Sequence, residues 1–156
     1  MIEIEHIVNE NLITLDLKAN SKDGAVMELA AMLFRENKLG SLFGFMDAVS
    51  ERERTMSTYC GFGIAIPHAK SIFVKEAGFA FGRTSGFPWE EGEENVHFIF
   101  MLAIPDQDPD AVQMDILSSI AELALEKKIR DKWLHAKTKH DILETFKEAL
   151  ATKTNL

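Results

Sequence analysis

Apolar and polar side chains alternate in ITLDL (residues 13–17), as in a half-buried strand. The period then changes: Val26, Leu29, Ala30 and Leu33 fall on one helical stripe behind Ser21, a good N-cap, and Gly40 reads as the stop. Ser41 can cap a second helix, in which Leu42, Phe45, Met46 and Val49 repeat the i, i+3, i+4, i+7 spacing. Residues 55–63 carry loop signals. GIAI (residues 63–66) reads as a short strand whose ladder ends at Pro67, which has no N–H to donate. AGFAFG (77–82) and VHFIFMLAI (96–104) read as further strands, the second apolar on both faces and therefore central. DQDPDA (106–111) is a turn, with Pro109 or Asp110 opening a long helix that runs to about Glu126. A short helix is expected over 128–136. The capping-box spacing of TKHD (138–141) starts a last helix with Leu143, Phe146 and Leu150 facing in, and residues 152–156 read as a frayed tail.

Strands with helices before and after them predict one α/β domain over residues 1–156. It is expected to be an α+β sandwich in which helices flank a sheet of mixed parallel and antiparallel strands. A chain of 156 residues with 46% hydrophobic side chains has material for one substantial core. The net charge of −8, from 17 basic and 25 acidic residues, argues against nucleic acid as a partner, and no basic patch interrupts the mixed charges. Cys60 is the only cysteine, which excludes an intramolecular disulfide and a cysteine zinc cluster. The start, MIEIEHIVNENL, lacks the basic and apolar regions of a secretory signal and reads as the natural start of a free-standing domain. FIFMLAI (98–104) has the length of a strand and not of a membrane span, so a cytoplasmic protein without membrane insertion is expected. Oligomeric state is not legible.

Three polar residues interrupt this pattern. Arg52 falls next on the stripe of Phe45 and Val49, and Glu53 extends the Met46 and Val49 side. A cation ending a core-facing stripe either reaches out to water or meets an anion. Gln113 precedes Ile116, Leu117 and Ile120 on the apolar face of the long helix, where an unpaired amide would cost about 1–3 kcal/mol. The third is His68, at the end of GFGIAIPH. A strand-end histidine satisfied by a neighbouring carbonyl is the plain reading. Its surroundings suggest more: Gly61 and Gly63 allow close backbone approach, Pro67 stiffens the residue before the ring, and Thr55, Ser57 and Thr58 add hydroxyls. Such a setting suits a neutral imidazole receiving a group with several anionic oxygens, with Arg52 answering the charge.

Other chemistries fit less well. No second histidine stands at i, i+4 for a metal, no G-x-S-x-G elbow is present, and GFGIAI lacks the third glycine of a dinucleotide loop. No metal, cofactor or nucleotide is therefore expected. Cys60 reads as a packing residue. His6, His135 and His140 read as solvated, and His97 as a hydrogen-bonded core residue.

SERERTMSTYCGFGIAIPHAK (50–70) resembles the phosphorylation-site signature of enzyme IIA domains of the mannitol/fructose type, from the bacterial sugar phosphotransferase system. PWEEGEENVHFIFMLAIP and the segment from Gln113 to Phe146 look like the strand pair and C-terminal helices of the same family. The resemblance implies a phosphotransferase with a phosphohistidine intermediate: His68 takes a phosphoryl group from HPr and passes it to a IIB component, for fructose- or mannitol-class uptake. It also implies that Arg52 stabilises the phosphoryl charge and that Thr58 is the hydroxyl of the loop. Gln113 stands where many members have a second histidine; an amide can donate a hydrogen bond to a phosphoryl oxygen but carries no charge. Tyr59 and Phe62 stand where smaller or polar residues are common. Phe43, Phe62, Ile72 and Phe73 are candidates for a surface that docks HPr and IIB in turn, or for plain core.

Two other functions remain open. Relatives in the nitrogen-regulatory branch bind proteins according to their phosphorylation state. Gln113 alone would support a protein that binds but no longer transfers. The sugar is chosen elsewhere, by the membrane component.

Overall fold

The computed structural model describes residues 4–154, and side chains through residue 149. Helix α1 (Ile4–Ile7) and a 3₁₀ turn (Glu10–Leu12) lead into β1 (Ile13–Thr14). Helices α2 (Lys22–Arg35) and α3 (Leu42–Thr55) follow, then β2 (Tyr59–Gly61), β3 (Ile64–Ala65), β4 (His68–Ser71), β5 (Gly78–Pro88) and β6 (Asn95–Pro105). Helices α4 (Asp110–Leu125), α5 (Lys127–His135) and α6 (Lys139–Thr154) end the described chain. The sheet has the order β1-β5-β6-β3-β2, with β4 also on β6. Pairs β1/β5, β3/β6 and β4/β6 are parallel, and β5/β6 and β2/β3 antiparallel. Mixed strand direction, a central β6 and flanking helices are as the hydrophobic pattern predicts.

The caps hold locally. Ser21 and Ser41 accept hydrogen bonds from the N–H groups of Gly24 and Gly44, and Thr138 accepts from Asp141 N–H. Helix α4 starts at Asp110, with Pro109 in the N-cap position and no side-chain cap bond.

Several boundaries differ from expectation. Beyond Thr14 the chain leaves the ladder, and Arg83 holds it from β5: Leu17 N–H donates to Arg83 O, and Leu15 O accepts from Arg83 Nε. Helix α2 stops at Arg35 and not at Gly40; Asn37 takes the left-handed turn (φ 59°), and Gly40 is free to bond Phe73 O. Thr55 remains helical, and residues 59–61 of the expected loop pair with β3. Strand β5 runs past residue 82 to Pro88 by way of a bulge, where Gly86 has φ 118°. A Cβ there would stand 2.8 Å from the ring of His97. That ring is half-buried beside Gly86 and Gly63 and makes no side-chain hydrogen bond among the described residues, unlike the bonded core histidine expected. Helix α6 continues through Thr154, into the segment expected to fray; Asn155, Leu156 and the side chain of Leu150 lie outside the described residues. No helix among the described residues is long and apolar enough to cross a membrane.

The core is two-sided because β6 is buried on both faces. On one face Gly82 leaves room for Leu29 of α2, 3.1 Å from where a Cβ would be. On the other, Phe81, Phe98 and Phe100 meet Trp133 of α5 at centroid distances of 5.7, 5.4 and 5.4 Å, and Phe146 of α6 closes the cluster at 6.1 Å. Trp133 is fully buried and donates its indole N–H to Thr145 Oγ1 at 2.8 Å. Arg83 of β5 fixes α5 from its C-terminal end, donating to Trp133 O (2.9 Å) and Ala136 O (2.7 Å). Replacing Trp133 with alanine empties the middle of this cluster. A loss of about 3–5 kcal/mol is expected by urea unfolding; a loss below about 1 kcal/mol would mean the cluster repacks freely.

Candidate functional site

Strands β3 and β4 are one strand with a gap. Ile64 and Ala65 pair with Phe98 and Ile99, and His68 resumes the same register opposite Leu102. Pro67 therefore interrupts the ladder and does not end it, which corrects the sequence reading. In the gap Ile66 turns its N–H away from β6 to Thr58 O (3.1 Å), while Pro67 O still accepts from Leu102 N–H (3.0 Å). The carbonyl of Ile66 is left to a side chain, and His68 Nδ1 takes it at 2.8 Å.

That contact fixes the chemistry of the ring. A carbonyl can only accept, so Nδ1 carries the proton. Burial pushes the His68 pKa below the ordinary histidine range; the Arg52 guanidinium lowers it further, while the Ile66 carbonyl and the Glu53 carboxylate pull upward. The ring is neutral at pH 7, and the lone pair is on Nε2. The plain reading of His68 as carbonyl-bonded and the reading as nucleophile thus describe one hydrogen bond. The residue retains 9% exposure, so it is not sealed from solvent.

Helix α3 packs along β4 and delivers Arg52, half-buried, into the field of His68. Its Nη1 donates to Met56 O at 2.8 Å, which ties the guanidinium to the chain that leads into β2. Of its five N–H donors the others have no partner among the described residues. A planar cation with free donors, near enough to act on the neutral imidazole through its field, can receive an oxyanion.

The three hydroxyls expected to surround the ring are committed elsewhere. Thr55 bonds Glu51 O within α3, and Ser57 donates to Glu93 Oε1 at 3.1 Å. Thr58 donates to Glu53 Oε1, so in this structure its proton is not offered to a ligand of His68. Glu53 also accepts from Thr58 N–H (3.3 Å) and from Trp89 Nε1 (3.2 Å). Trp89 and Ile66 had no part in the sequence reading of the site. Glu53 was legible as a carboxylate on a buried helix face, which requires partners.

Helix α4 brings Gln113 to the same side of the sheet. Lys70 stands two positions from His68 on β4, hence on one face with it, and its ammonium bonds Asp110 at the start of α4 (2.6 Å). Gln113, on the first turns of that helix, is half-buried and its amide has no hydrogen-bond partner among the described residues. Gln113 makes no hydrogen bond to His68 or Arg52.

Phe43 (66% exposed), Phe62 (54%) and Ile72 (75%) are on the surface with the less exposed Phe73, and so are not plain core. Phe62 holds a left-handed conformation (φ 56°) between Gly61 and Gly63, its ring 4.3 Å from the Arg130 guanidinium of α5. Cys60 is exposed, but its thiol donates to Ile64 O and partial desolvation pushes its pKa up, which makes it a poor nucleophile.

The sequence model of the family described as "Phosphoenolpyruvate-dependent sugar phosphotransferase system, EIIA 2" matches residues 6–149. The chain is 28% identical over 149 residues to the fructose-specific EIIABC component of Bacillus subtilis, covering 94% of this chain and 23% of that protein. The chain thus spans under a quarter of that relative's length. Among solved structures, the nitrogen regulatory protein IIA-Ntr of Neisseria meningitidis superposes with a TM-score of 0.82 at 28% identity, over 90% of this chain and 96% of that one. The mannitol enzyme IIA of Escherichia coli, in its complex with phosphorylated enzyme IIB, has the same fold at 18% identity (TM-score 0.76, 90% and 97% covered).

Proposed function

This chain belongs to the EIIA 2 family of the phosphoenolpyruvate-dependent sugar phosphotransferase system, and on that premise we propose that His68 is its phosphoryl acceptor, charged by phospho-HPr and discharged to a IIB component. The observation that carries this reading is the bond from His68 Nδ1–H to Ile66 O, which leaves Nε2 as the free nucleophile. In the forward step the Nε2–P bond forms while the donor's N–P bond breaks, and that bond's electron pair returns to the donor ring. The Nδ1 proton stays where it is, and Ile66 O meets the positive charge that develops on the ring. Arg52 binds the equatorial oxygens, whose charge is the main electrostatic demand of such a transfer. Gln113 supplies an uncharged N–H donor to the same group, and Thr58 shapes the loop through Glu53. No metal or nucleotide takes part, because the donor is already a phosphohistidine. The exposed Phe43, Phe62, Ile72 and Phe73 dock HPr and IIB in turn, in the cytoplasm.

A regulatory role is the second reading, favoured by the similarity to IIA-Ntr. Incubation with enzyme I, HPr and labelled phosphoenolpyruvate, followed by a panel of IIB proteins, separates the two. An acid-labile, alkali-stable label that moves on to a IIB of the fructose or mannitol class is the expected result. Label that never leaves this chain points to the regulator, and no label at all overturns the acceptor reading.

A further inference from the structure

Glu53 is 6% exposed, a carboxylate inside the protein, and its surroundings account for it fully. Its oxygens receive Thr58 N–H, the Thr58 hydroxyl and Trp89 Nε1–H, with the Lys22 ammonium 4.0 Å away. Only an acceptor-only group satisfies three donors on two oxygens; an amide would turn its NH₂ toward one of them. From Thr58 the connection continues: its carbonyl receives Ile66 N–H at 3.1 Å, and the Ile66 carbonyl receives His68 Nδ1–H at 2.8 Å. Between Ile66 and His68 stands Pro67, with its fixed φ. The chain from α3 to the imidazole therefore has no link that is loose at both ends. Trp89, 2% exposed just beyond β5, donates to the same carboxylate oxygen, Oε2, as Thr58 N–H.

We propose that Glu53 is a positioning residue for His68: through Thr58 it sets the place of the Ile66 carbonyl, and so the tautomer and aim of the ring. This rests on the reading of His68 as phosphoryl acceptor. Arg52 and Glu53, adjacent on α3, then divide the work, one meeting the phosphoryl group and the other holding the nucleophile through the loop. A misplaced carbonyl would release Nδ1–H, let the proton move to Nε2 and block the attacking lone pair.

Nitrogen NMR of the His68 ring in the unphosphorylated protein reads the tautomer directly, and label uptake from phospho-HPr reads the consequence. The wild type is expected to hold Nδ1–H almost alone. Glu53→Gln and Thr58→Val are expected to mix the two tautomers and to lower the maximal rate of uptake about tenfold, with the KM for phospho-HPr within about twofold. Thr58→Ser keeps the hydroxyl and is expected to restore both readouts. A wild-type ring protonated mainly on Nε2 overturns the proposal. So does a folded Glu53→Gln or Thr58→Val protein with wild-type tautomer and rate, or a loss that serine does not rescue. If Glu53→Gln does not fold, Thr58→Val and the wild-type spectrum decide. Failure of the wild type to take label sinks the acceptor reading instead and leaves the tautomer result standing.

Discussion

Replacing His68 with alanine is expected to bring label uptake from phospho-HPr to background while the fold survives. The residue begins β4, where backbone pairing to Leu102 does not depend on the side chain. What is lost is the lone pair on Nε2, and no other group near it substitutes. The Cys60 thiol, though the residue is exposed, donates to Ile64 O and has its pKa raised by partial desolvation, and the Ser57 and Thr58 hydroxyls donate to Glu93 and Glu53. Covalent transfer without a nucleophile has no route through this loop. A His68→Ala protein that still takes label would move the acceptor elsewhere.

Arg52→Met is expected to have the second largest effect on activity. The side chain keeps its length and apolar stem, so α3 should be undisturbed apart from the lost bond to Met56 O. The cation and its free donors disappear, and by comparison with other charge-stabilising donors the rate should fall on the order of 10²–10³-fold. The same substitution has a signature in pH. Burial and Arg52 hold the His68 pKa below the ordinary value of about 6.5, so the ring of the wild type stays neutral and reactive below that pH. Without the guanidinium the folded-state pKa rises, and the acid limb of the rate profile moves up toward about 6.5. A lowered rate with an unmoved acid limb would mean that Arg52 acts only through the loop.

Where one side chain's neighbours are near in sequence, the sequence was readable. The stripes of α2 and α3 and the caps at Ser21, Ser41 and Thr138 depend on residues within a turn or two. The doubly apolar VHFIFMLAI could only be a central strand. His68 and Arg52 stood out because a polar residue at the end of an apolar run is locally conspicuous.

The failures are equally physical. Pro67 has no N–H, which the sequence reading took as an end to pairing; but the Pro67 carbonyl still accepts from Leu102, so the ladder resumes at once. Glycine tolerates positive φ, which makes Gly40 the expected stop, yet Asn37 reaches that conformation first. Proximity in sequence alone points the hydroxyls at a ligand and leaves out their competing acceptors. Glu93 belongs to another part of the chain, and Glu53, five residues before Thr58, meets its hydroxyl only because the chain turns back after α3. The contribution of Ile66 is a backbone carbonyl, invisible to any reading of side chains.

The central claim is that the Ile66 carbonyl keeps the proton on Nδ1 and so makes Nε2 the atom that takes phosphorus. A phosphorus–nitrogen correlation spectrum of the protein phosphorylated through HPr tests it most directly. Phosphorus coupled to Nε2 of His68 is the predicted result. Phosphorus on Nδ1, or on any other residue, would contradict it.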